Sequence, residues 1–81
     1  MRTEIFNKVK GMNIENAKKV LVENGYCEYF MRVVNCDNCI NLKVRDNANT
    51  FTTLTDFGNG IEKKHTYKIW KNYWQIIKIM L

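Results

Sequence analysis

Proline is absent from this sequence, and histidine occurs once. The lack of proline favours regular elements joined by short connections. The lone histidine, His65, has no Ser or Cys nucleophile with a partner Asp that the sequence can set beside it, so catalysis is disfavoured. Acidic residues are few: Asp and Glu total 8 against 13 Lys and Arg, a net charge of +5. That sign argues against a nucleic-acid mimic and makes acidic partners the expectation, whether nucleic acid, an anionic membrane or an acidic protein face. No run of about 20 apolar residues exists, so no segment is expected to span a bilayer. The N-terminus has no apolar core behind Arg2, so no signal peptide is expected. Cysteines number 3, and an odd count suits a reducing compartment better than a disulfide scaffold. The expected location is the cytoplasm.

At 81 residues the chain predicts one domain, 1–81, with residues 1–11 as an N-terminal arm or short helix. Its apolar fraction of 46% and its periodicities predict a folded protein. Asn, Ile and Lys are abundant, the bias of AT-rich coding common in small phage and mobile-element proteins.

The stretch 58–81 carries the most apolar bulk. Ile69, Trp70, Tyr73, Trp74, Ile77, Met80 and Leu81 fall on one stripe of a 3.6-residue period, with Lys68, Lys71, Asn72, Gln75 and Lys78 opposite. The spacing predicts a helix. Asn59 as N-cap with Glu62 three residues on predicts its start. Lys63, Lys64 and His65 then crowd the first turn, where cations oppose the helix dipole, and an anion such as phosphate held there is one explanation.

Upstream, Thr3 is placed to cap a short helix carrying Ile5, Phe6 and Val9; an extended arm fits the same residues. Asn13 predicts an N-cap, Met12 and Ala17 a hydrophobic staple, and Gly25 a C-terminal stop for a helix burying Ile14, Ala17, Val20 and Leu21. Residues 28–35 and 40–45 alternate as strands around a turn at Cys36-Asp37-Asn38-Cys39. Ile40, Leu42 and Val44 point inward. Asp46-Asn47-Ala48-Asn49 predicts a second turn, and 50–57 a third strand whose inward set is ambiguous. The predicted class is α+β: αβββα, a three-stranded antiparallel sheet with two helices packed on one face.

Cys36-x-x-Cys39 has metal-knuckle spacing that Cys27 and His65 would have to complete, but a second close pair is lacking. No metal and no cofactor are expected. Asp37, Asp46 and Asp56 read as turn formers. Gly58-x-Gly60 lacks the third glycine and the crossover unit of a dinucleotide site. Two basic groups remain: Arg32, Lys43 and Arg45 on the open face of the sheet, and Lys63, Lys64, Lys68 and Lys71 on the final helix. Exposed charge of this kind serves solvation alone or meets a nucleic acid or acidic protein surface. The C-terminal stripe also suits a membrane surface, but in so short a chain a core role is expected.

The order helix, three strands, helix, with Gly58-x-Gly60-x-x-Lys63-Lys64 opening the last helix, resembles the double-stranded-RNA-binding domain. The resemblance covers most of 13–81 in outline and is specific over 58–68. It implies phosphate contacts from Lys63 and Lys64. Thr66 stands at the family's small residue and Tyr67 at its further lysine, with Lys68 one place beyond. The chain departs from the pattern elsewhere: Cys36–Cys39 replaces a longer loop, Lys19 replaces a Glu of the first helix, and Trp and Tyr replace alanines of the second. The outline is also similar to HicA-type mRNA-cleaving toxins, whose Gly-Ser-His segment is missing. Small phage inhibitors of CRISPR effectors are similar in size, topology and composition. The resulting expectation is a non-enzymatic binding protein that docks on a nucleic-acid-handling or nucleoprotein complex and inhibits or regulates it. Direct binding of double-stranded nucleic acid and a His65-dependent ribonuclease toxin are the alternatives.

Overall fold

The computed structural model describes residues 1–68. The tryptophan-bearing stripe and Lys71 lie outside the described residues. The described chain is α+β, with helices α1 (Thr3–Val9) and α2 (Ile14–Glu23), a 3-10 turn (Glu28–Phe30), and strands β1 (Met31–Asn35), β2 (Ile40–Arg45), β3 (Thr50–Asp56) and β4 (Ile61–Lys68). The strands form one antiparallel sheet in the order β1-β2-β3-β4.

The N-terminal segment forms a helix over Thr3–Val9, but Arg2 stands at its N-cap position and Thr3, already helical, makes no cap. Asn13 caps α2 as its residue type predicts, accepting from the Asn16 amide at 2.8 Å. Helix α2 ends just before Asn24 and Gly25. Ile5, Val9, Ile14, Ala17 and Leu21 share one hydrophobic cluster with Leu42, Val44, Leu54 and Ile61. Burying each of the larger side chains contributes about 1.5–3 kcal/mol. Ile40 does not join the cluster and stays 38% exposed at the sheet's end. In β3 the inward set is Thr52, Leu54 and Asp56.

The expected three-stranded sheet is four-stranded, and residues 61–68, expected to begin the last helix, form β4 instead. Two local causes are visible. Gly58-Asn59-Gly60 turns the chain back on itself while Asp56 Oδ1 accepts from the Gly58 and Gly60 amides at 2.7 and 3.1 Å. Asn59 is therefore a turn residue and not a helix cap. Pairing with β4 also satisfies the outer backbone groups of β3, which would otherwise form an open edge. A bulge between Thr55 and Asp56 leaves Glu62 unpaired in the ladder, so no capping box forms.

The α1–α2 loop is fixed to the start of β4. Gly11 N donates to Ile61 O at 2.7 Å, and Ile61 N donates to Met12 O at 2.8 Å. Gly60 permits this approach, having φ +96 and no side chain where Gly11 passes. A second anchor surrounds Asp46, which accepts from the Tyr26 hydroxyl at 2.9 Å, from the Thr52 hydroxyl and from the Met1 ammonium at 3.2 Å. Burial and that carboxylate push the Tyr26 phenol up to about 12. No described helix is long and apolar enough to cross a membrane.

Candidate nucleic-acid interface

Strand side chains alternate between faces, so the register decides which cations stand together. The core residues Leu42, Val44 and Leu54 occupy one face. The opposite face, open among the described residues, is laid out in three rows across the strands. The first pairs Arg45 with Phe51 and Tyr67; the second runs Arg32, Lys43, Thr53, His65; the third runs Val34, Asn41, Thr55, Lys63. None of these positions carries a carboxylate. Arg32, Lys43, Lys63 and His65 are exposed.

The expected basic groups are thereby rearranged. Arg32, Lys43 and Arg45 do share the open face, and Lys63 joins them. Lys64 and Lys68 take the other face because the strand turns successive residues to opposite sides. Lys64 Nζ donates to Met1 O at 3.0 Å and lies 5.6 Å from the Phe6 ring centroid, which gives it a structural task. The adjacent lysine pair on one helical turn therefore does not exist. Arg45 is also partly engaged: Nε and one terminal nitrogen donate to the turn carbonyls of Asn47 and Ala48 at 3.2 and 3.3 Å.

Aromatic rings accompany the cations. Phe51 and Tyr67 stack with centroids 4.8 Å apart and planes 15° apart, and His65 meets Tyr67 edge-on at 4.1 Å. The Arg45 guanidinium lies 5.8 Å from the Phe30 centroid, and Lys63 Nζ 5.4 Å from that of Phe57. His65, expected in a helical first turn, is instead a strand residue in contact with an aromatic ring. The sequence reading overlooked Tyr67 and Phe51 as site residues. Their signal was the alternation Lys63, His65, Tyr67, visible once 61–68 is taken as a strand.

No family model matches the sequence, and no curated protein or solved structure is significantly similar to it.

Elsewhere, Cys36 and Cys39 flank the β1–β2 turn, closed by a Cys36 N donation to Cys39 O at 2.9 Å. Both are free, and the Cys39 thiol pKa is raised by desolvation and then by its hydrogen bond to Cys36. Among the described residues, no three His, Cys, Asp or Glu side chains gather as a metal site requires. A cleft of about 520 Å³ lies between Tyr26, Phe30, Arg45 and the β2–β3 turn, open beside the first row.

Proposed function

We propose that the protein is a non-catalytic binding module that takes a nucleic acid on the open face of its sheet. In this reading the helices cover the opposite face and leave Arg32, Lys43 and Lys63 free for phosphates. The observation that carries it is the three-row register, which groups cations and aromatic rings on one face with no carboxylate at the paired positions. A surface serving solvation alone mixes both signs. Phosphate contact requires the opposite: cations without competing carboxylates.

A second reading has the same face docking on an acidic surface of a nucleic-acid-handling complex, so as to inhibit or regulate it. It is favoured by Tyr29 and Phe30, which are 87% and 50% exposed beside the first row. Exposed aromatics of this kind are frequent anchors at protein interfaces.

A salt series separates the two. Purified protein is titrated into labelled oligonucleotides between about 50 and 200 mM salt, where phosphate binding weakens with a slope of roughly −0.7 per contact on single strands and −0.9 on duplex DNA. Measurable affinity with a slope near −2 or steeper supports the first reading. No affinity for any free nucleic acid at the lowest salt rejects it in favour of protein docking.

A further inference from the structure

We infer that the nucleic acid taken by this face is single-stranded, with an unpaired base stacking at the Phe51–Tyr67 pair and phosphates following Arg32, Lys43 and Lys63. This rests on the reading above and names its partner. The aromatic pair is the first observation. Phe51 is half-buried and stacks on Tyr67, which remains 42% exposed. One ring thus holds the other in place while leaving it surface to offer. Base–aromatic stacking is tolerant of sequence, because every base has a π face.

The layout is the second observation. Aromatics stand in the first row and exposed cations in the next two. Alternate residues along a strand are about 7 Å apart, so a base on the first row leaves its backbone over the second. Phe30 under the Arg45 guanidinium continues the first row past β2. The rings therefore run across the strands, with the cationic track beside them.

The shape of the face is the third. Among the described residues, strands alone make it up. A duplex major groove admits a helix or a narrow two-stranded ribbon, whereas a broad four-stranded face with aromatic rings and cations alongside suits unpaired bases.

The test uses the full chain and labelled 12-residue oligothymidylate and oligouridylate, with a mixed-sequence duplex of the same length, read by fluorescence anisotropy. The single strands are expected to bind at least tenfold more tightly than the duplex. Tyr67→Ala should weaken single-strand binding about tenfold, the size of one lost stack, without changing the salt slope. Tyr67→Leu keeps apolar bulk against Phe51 but has no π face; it should show the same loss, and Tyr67→Trp should show none. Lys43→Ala should weaken binding and reduce the slope by about 0.7. Duplex binding as tight as single-strand binding, or full affinity in Tyr67→Leu, overturns the inference while leaving a nucleic-acid-binding face. Absence of binding to every oligonucleotide removes both.

Discussion

Gly60→Ala should be the most damaging single-methyl addition in the described chain. A Cβ there falls within 2.5 Å of the Gly11 carbonyl carbon, closer still to its oxygen, and 2.9 Å from the Gly11 Cα. All three are backbone atoms, so no side chain can rotate away. Relief requires the α1–α2 loop to retreat from β4, breaking the Gly11–Ile61 and Ile61–Met12 bonds of 2.7 and 2.8 Å. Each bond contributes about 1 kcal/mol net. Holding alanine at φ +96 adds roughly 1–2 kcal/mol. The sum is about 3–4 kcal/mol, comparable to the whole net stability of about 3–5 kcal/mol expected at this length. Gly58→Ala is the control: its φ of +119 imposes backbone strain, but nothing lies within 4 Å of the added methyl. Urea unfolding followed by far-UV circular dichroism should show Gly58→Ala losing about 1–2 kcal/mol. Gly60→Ala should lose at least 2 kcal/mol more, the worth of the two bonds. Equal losses at the two glycines would refute the tight crossing of loop and strand.

Asp46→Ala leaves the Tyr26 hydroxyl without its acceptor and removes the carboxylate paired with the Met1 ammonium, while the Thr52 hydroxyl keeps Thr66 Oγ1 at 3.0 Å; it should destabilise by about 2–4 kcal/mol in the same assay. Because the folded-state pKa of Tyr26 is raised from 10.0 to about 12, its neutral form stabilises the fold fully below pH 10, and that contribution disappears as pH rises to 12. Stability measured across that window should fall less steeply in Tyr26→Phe, and a difference titration at the tyrosinate band should show one phenol ionising near pH 12. The parent and His65→Ala should both leave RNA intact in a long incubation; RNA cleavage that depends on His65 would replace the binding account with a catalytic one. Lys64→Ala should lower stability, through Met1 and Phe6, with less effect on oligonucleotide affinity than Lys63→Ala.

Much of the fold was legible in the sequence because local signals and burial agreed. Asn13, Gly25 and the Ile14/Ala17/Leu21 spacing define α2, and strict alternation in 40–45 put Leu42 and Val44 inside. The fourth strand was missed for a physical reason. The strong helical stripe beyond residue 68 invited a start signal upstream, and Asn59 with Glu62 supplied one. Yet Asn59-Gly60 between alternating segments is also a hairpin signal, and Thr66 and Tyr67 favour strands. Periodicity could not arbitrate, since in 61–68 only Ile61 is buried. The site followed the same error. Treated as a helical turn, Lys63 and Lys64 become neighbours; as a strand, they part to opposite faces. The cross-strand stack of Phe51 on Tyr67 depends on a pairing that spacing along the chain does not encode.

The open face, and not overall charge, is proposed to engage the nucleic acid. Two variants carrying equal net charge test it most directly: Arg32→Gln/Lys43→Gln/Lys63→Gln on the open face, and Lys8→Gln/Lys10→Gln/Lys19→Gln on the helices and the C-cap of α1. Each lowers the formal charge from +5 by the same amount. In a salt-series titration against oligothymidylate, the open-face variant should lose most of its affinity and about 2 from its salt slope, at roughly 0.7 per contact. The helix variant should stay close to the parent. Equal losses from the two variants would contradict the account, because they would show that charge acts without regard to the face that carries it.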